Sequence, residues 1–134
     1  MPKIIRINHV AVVVGDMEKA LAFWRDALGL KMTAPGDIPA ESAQVAFLPL
    51  EGSTIELVKP TSEDSGLAKH LAKRGAGMHH VCLEVDDLAA MMARLEERGV
   101  RLINETPKTS ADGRRYAFIH PDSTSGVLVE LYER

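Results

Sequence analysis

The stretch Asn8-His9-Val10-Ala11-Val12-Val13-Val14-Gly15-Asp16-Met17 decides the fold, because 71 residues later the chain runs His79-His80-Val81-Cys82-Leu83-Glu84-Val85-Asp86-Asp87-Leu88. Each copy reads as a histidine, a strand, an acidic turn and the start of an amphipathic helix. The same offset sets Ala46-Phe47-Leu48 over Ala117-Phe118-Ile119, and each is followed by a turn and a strand with one glutamate, Ile55-Glu56-Leu57 and Val129-Glu130-Leu131. Agreement over both segments points to a duplicated module.

Working outward, the first module (about 4–60) is a strand over 4–14, a helix capped by Asp16 with Ala20, Leu21, Trp24 and Leu28 inward and Gly29 as its stop, then strands near 30–34, 43–50 and 53–59. The second (about 77–134) repeats this. A strand over 78–85 leads to Asp86 or Asp87 as cap, to Leu88, Met91, Met92 and Leu95 at helical spacing, to Gly99, and to strands near 101–105, 114–120 and 126–133. Between them lies a polar linker (about 61–76) with a short helix around 67–73 ended by Gly75. The class is α+β, two tandem βαβββ modules. Neither half is large enough to bury an adequate core alone, so the expectation is a single domain over 1–134.

Composition narrows the function. With 46% hydrophobic and 26% charged residues the chain has the make-up of a packed globular protein, and 16 basic against 19 acidic side chains give no positive field for nucleic acid or anionic membrane. No run approaches the roughly 20 apolar residues of a membrane helix, no secretory h-region is evident, and a cytoplasmic location is expected. The one cysteine, Cys82, excludes an internal disulfide and reads as a small buried hydrophobe.

Strand alternation then assigns faces. Val10, Val12 and Val14 should pack on the first helix, leaving His9, Ala11 and Val13 opposite. Val81, Leu83 and Val85 match them, so His80 and Cys82 share the other face and His80, not His79, is the partner of His9. Glu56 opposes Ile55 and Leu57, and Glu130 opposes Val127, Val129 and Leu131. A carboxylate among aliphatics is costly to bury unless paired or bound to a cation. Two imidazoles and two carboxylates from equivalent places suit a borderline divalent metal: cobalt, nickel, manganese or zinc. His70 reads as a solvated residue beside Lys69 and Lys73, and His120-Pro121 as a turn at the site rim.

These residues resemble the vicinal oxygen chelate (glyoxalase-like) superfamily and, within it, the methylmalonyl-CoA epimerases. The closer likeness rests on Asp64-Ser65-Gly66-Leu67-Ala68-Lys69, Gly75-Ala76-Gly77-Met78-His79-His80-Val81, Pro107-Lys108, Phe118-Ile119-His120-Pro121 and Gly126-Val127-Leu128-Val129-Glu130-Leu131. It implies a metal at His9, Glu56, His80 and Glu130, with cobalt first among the ions, an acyl-CoA substrate and a homodimer. The implied reaction removes and returns the C2 proton of methylmalonyl-CoA, with Glu130 as one base. Some epimerases carry a further glutamate where this chain has Val45, so Glu56 is read as the second base and Glu41 as an outside candidate. Thr106 stands where the family often has an acidic residue. Lys108, Arg114 and Arg115 are candidate contacts for the coenzyme A portion, and His120 at the site rim is a candidate substrate contact.

The competing readings are a glyoxalase I-like lactoylglutathione lyase, which the metal residues alone do not distinguish, and an extradiol-type dioxygenase, which would leave Glu56 unexplained. A non-catalytic binding protein of the same fold is the remaining one.

Overall fold

A computed structural model of the chain describes residues 1–38 and 42–134, and for 34–38 the backbone alone. Its strands and helices form an α+β fold in two compact units, Val10–His79 on one side of the division and Met1–His9 with His80–Arg134 on the other. The boundary falls directly after His9, inside the first strand, β1 (Ile4–Val13).

The Val10–His79 unit holds the second half of β1, then α1 (Met17–Leu21), β2 (Thr33–Ile38), β3 (Ala43–Leu50), β4 (Ser53–Pro60) and α2 (Gly66–Arg74), with strand order β2-β3-β4-β1. Asp16 caps α1 by accepting the Lys19 N–H at 3.1 Å, and Val12, Val14, Met17, Leu21, Leu48, Ile55 and Leu57 form the cluster beneath the helix. That is the face parity assigned. The helix then departs from the expected single α-helix: Ala22–Ala27 is a π-helix, with the Leu28 N–H bonding the Phe23 carbonyl at 2.9 Å. One residue too many per turn rotates the following positions, so Trp24 still packs on the cluster while Leu28, expected inside, is exposed. Gly29 ends the helix at φ 82°, and β2 starts three residues later than the strand expected near 30–34.

The other face of this sheet is also apolar. Val13, Ala43, Val45 and Val58 are buried there under Phe47, Leu67 and Leu71, the last two from α2. Ser65 caps α2 by accepting the Ala68 N–H at 3.1 Å. Within this unit, then, the face carrying Val13 is covered in part by a helix, which the parity argument did not foresee.

The remaining unit has β5 (Gly77–Val85, from His80 onward), α3 (Leu88–Glu97), β6 (Lys108–Thr109), β7 (Arg115–Ile119) and β8 (Val129–Glu133), with strand order β1-β5-β8-β7-β6. Of the two candidate caps Asp87 serves α3, accepting the Ala90 N–H at 3.0 Å, while Asp86 accepts the Lys3 N–H at 2.8 Å. Leu88, Met91 and Met92 of α3 close over Val85, Ala117, Ile119 and Leu131, joined by Leu83, Leu95 and Val129. Residues 101–105 are not the expected strand. Asn104 Oδ1 accepts the Phe118 N–H at 2.7 Å, taking the place of a backbone carbonyl, so the pairing stops at a lone bridge between Leu102 and Ile119. Residues 126–128 are likewise a turn: Gly126 has φ 89°, its N–H bonds the Pro121 carbonyl at 2.9 Å, and Val127 is exposed. β8 therefore begins at Val129.

Candidate metal centre

β5 and β8 run parallel with Cys82 opposite Glu130, and β8 and β7 run antiparallel with Glu130 opposite Phe118. Cross-strand partners share a face, so Cys82, Glu130 and Phe118 form one row, with His80 two residues before Cys82 on the same side. The opposite face packs under α3, as expected. His9, from the end of β1's first half, completes the group.

The geometry is close to an equilateral triangle. His9 Nε2 and His80 Nε2 are 3.1 Å apart, and each lies 3.2 Å from Glu130 Oε1. All three side chains are nearly buried, between 11% and 13% exposed. The rings meet edge to face, centroids 5.2 Å apart, and Phe118 stands edge-on to His80 at 5.8 Å, shielding that side from water. Burial alone would raise the Glu130 carboxyl, yet the imidazoles of His80 and His9 beside it outweigh that and hold the group at about 2. It is ionised at neutral pH.

The donor set fits a divalent metal. His9 Nδ1 lies 2.8 Å from Asn8 Oδ1, and the Asn8 amide is oriented by its Nδ2–H, which donates to Glu84 Oε1 at 3.0 Å. A carboxylate only accepts, so Asn8 Oδ1 faces His9, Nδ1 carries the proton, and a neutral His9 presents a lone pair at Nε2. The His9 lone pair, His80 Nε2 and the Glu130 carboxylate, about 3 Å apart, are reconciled by a proton on His80 Nε2 or by a cation among them. Ligands near 2.0–2.2 Å from a first-row divalent ion are separated by about this much. The Cys82 sulfur, wholly buried, also belongs: one donor atom each from His9, Cys82 and Glu130 fall within 4.8 Å of one another.

Within one unit the structure brings together the expected ligands His9, His80 and Glu130. Glu56 belongs to the other unit, where it is paired in register with Phe47 on the face that carries Val58, away from α1. Val45 is 1% exposed within the apolar cluster, so no carboxylate occupies that place. Glu41 lies outside the described residues. His79, left off the ligand face, has its ring edge-on to His70 at 4.8 Å. His70 itself is not the solvated residue expected. It is half-buried, its Nδ1 meets no hydrogen-bond partner among the described residues, and burial, then the Arg74 charge, push its pKa down.

Of the candidate substrate contacts, Lys108 is exposed on β6, while Arg115 makes a two-pronged pair with Glu133, Nε to Oε1 at 3.0 Å and Nη2 to Oε2 at 3.1 Å. His120 caps the 3₁₀ turn Pro121–Ser123, its Nδ1 accepting the Asp122 N–H at 3.0 Å, and Arg114 lies over the Tyr132 ring at 5.4 Å. Sequence reading missed Asn8, Glu84 and the donor role of Cys82. A signal existed for the last two: residues 80, 82 and 84 share one strand face, so Glu84 is a further mid-strand carboxylate.

Near these contacts, Asp112 accepts hydrogen bonds from the Ser110 hydroxyl, from Tyr132 Oη at 2.5 Å and from the Arg114 N–H at 3.0 Å, and in that order they hold its pKa at about 2 against an ordinary 3.8. Because the folded value lies below the unfolded one, this stabilisation is complete above about pH 4 and is lost as pH falls through about 2. Screening of an exposed group keeps it below about 1 kcal/mol. Asp112→Asn should flatten the acid limb of stability measured by urea unfolding between pH 4 and pH 2; a limb as steep as the parent's would contradict the assignment.

Comparison with known proteins extends these observations. Residues 8–118 match the Glyoxalase/Bleomycin resistance protein/Dioxygenase superfamily. The chain is 43% identical over 128 residues to the ethylmalonyl-CoA/methylmalonyl-CoA epimerase of Cereibacter sphaeroides, covering 94% of this chain and 96% of that one. It is 42% identical over 127 residues to the mitochondrial methylmalonyl-CoA epimerase of Bos taurus, covering 94% and 73%. A solved structure of a single-substitution variant of Streptomyces coelicolor methylmalonyl-CoA epimerase in complex with 2-nitronate-propionyl-CoA superposes with a TM-score of 0.87 at 31% identity, over 98% of this chain and 95% of that one.

Proposed function

The chain belongs to the methylmalonyl-CoA epimerases, a family of isomerases within the glyoxalase/bleomycin resistance protein/dioxygenase superfamily, and from that membership we propose that it interconverts the C2 epimers of methylmalonyl-CoA. The observation that carries the reading is the triangle of His9 Nε2, His80 Nε2 and Glu130 Oε1 with edges of 3.1–3.2 Å. In this reading these residues hold a divalent metal with Glu56 as the fourth ligand, cobalt first and nickel, manganese or zinc as alternatives. When bound, the ion supplies a fixed positive charge against the negative charge that develops on the substrate oxygens as the C2 proton leaves.

The remaining work falls to side chains. Glu130 keeps Oε1 against the two rings and takes the proton on one face of C2 at Oε2. Glu56 serves the opposite face, since Val45 has no proton to move. Phe118 keeps water from the side of His80, which protects the carbanionic carbon from solvent protons. Lys108 and Arg115 are the proposed contacts of the coenzyme A portion, and His120 is a proposed substrate contact.

Protein stripped by chelation and reloaded with cobalt should wash deuterium from solvent into C2 of one supplied methylmalonyl-CoA epimer and form the other; the stripped protein should not. The glutathione hemithioacetal of methylglyoxal should be left unchanged. Turnover of that hemithioacetal alone would overturn the assignment.

A further inference from the structure

His9 is held from behind by a chain of polar groups that the proposed chemistry does not use. Its ring nitrogen Nδ1 meets Asn8 Oδ1 at 2.8 Å, Asn8 Nδ2 donates to Glu84 Oε1 at 3.0 Å, and Glu84 Oε2 lies 3.4 Å from Arg6 Nε. All four residues lie in one compact unit. Glu84 is 6% exposed, the most buried carboxylate residue among those described, in a strand whose alternate residues pack under α3. A buried carboxylate without partners would be costly, and Asn8 and Arg6 are what it has been given.

Direction along this chain is fixed by chemistry. Glu84 only accepts, so Asn8 must turn its amide nitrogen to it and its oxygen to His9. Asn8 Oδ1 only accepts, so the His9 proton must sit on Nδ1. We propose that Asn8, oriented by the Arg6-anchored carboxylate of Glu84, is a positioning residue that fixes His9 as the Nδ1–H tautomer, with the Nε2 lone pair facing His80 and Glu130. The proposal rests on the reading of this triangle as a metal centre and adds the device that readies one ligand before the ion arrives. Outer groups of this kind typically change metal affinity by about 10- to 100-fold when removed.

The test separates the tautomer from the metal. In metal-free full-length protein, nitrogen-15 shifts of the His9 ring should report Nδ1–H, and cobalt titration should give a reference dissociation constant. Asn8→Leu, which keeps the volume and removes the acceptor, should move the ring toward Nε2–H and weaken cobalt binding by about 10- to 100-fold. The double variant Asn8→Asp with Glu84→Gln restores the chain with the middle hydrogen bond reversed, because the new glutamine donates to the new aspartate, which still accepts from Nδ1. It should recover both readouts. A parental tautomer and affinity in Asn8→Leu would overturn the proposal, as would a double variant no better than Asn8→Leu. Were wild-type protein to bind no cobalt, the metal reading would fail, while the nitrogen-15 comparison would still decide the role of Asn8.

Discussion

Glu130→Gln is expected to lower exchange of the methylmalonyl-CoA C2 proton by roughly 10²- to 10⁴-fold, the usual contribution of a positioned proton-transfer group. Glutamine keeps the volume and an oxygen that can still face the rings, so the fold should persist. What it loses is the ability to accept a proton. The loss should also be asymmetric. If Glu130 serves one face of C2 and Glu56 the other, the epimer whose proton points at Glu130 should exchange that much more slowly while the other epimer continues to exchange through Glu56. Following deuterium uptake from each epimer separately, with metal content measured in parallel, gives the answer. Parental exchange of both epimers in Glu130→Gln and also in Glu56→Gln would remove both residues from the proton path.

The largest expected effect on stability comes from the residue next along the strand. Leu131 is 2% exposed and packs with Val85, Leu88, Met91 and Met92 beneath α3. Leu131→Ala removes three carbon atoms from a close-packed layer and leaves a cavity, a change that costs about 2–5 kcal/mol. For a chain of this size that corresponds to a drop in thermal midpoint on the order of 10 °C. Differential scanning calorimetry on the metal-free protein should show it, and a shift below about 2 °C would mean that the layer relaxes around the gap. The neighbouring surface substitution Glu97→Ala, at the exposed end of α3, should change little and serves as the control.

Much of this was readable in advance because duplication and alternation are simple periodic signals. The pairing of His9 with His80, the choice of His80 over His79 and the inward carboxylate of Glu130 all follow from counting residues along β-strands, and β3 and β4 fall within a residue of where their patterns put them. The departures occur where a side chain or an irregular turn overrides the local pattern. Asn104 takes the Phe118 N–H with its amide oxygen and stops an apolar stretch from becoming a strand. The π-helix after Leu21 carries Leu28 off the packed face, and no residue type in Ala22–Ala27 announces it. His70 looks solvent-facing from its lysine neighbours, yet sits against the ring of His79 from another element. Cys82 reads as a plain hydrophobe because its partner, Glu130, lies 48 positions away in sequence and beside it only once β5 and β8 align.

That alignment has a consequence for how the molecule assembles. Cys82 sits opposite Glu130 while Leu83 sits opposite Leu131, so sliding one strand past the other by a single position would turn Glu130 into the greasy layer under α3 and Leu131 out of it. The error would bury an ion and expose a leucine at once. The carboxylate that is assigned the chemistry thereby proofreads the sheet, making misthreaded β8 too unfavourable to persist.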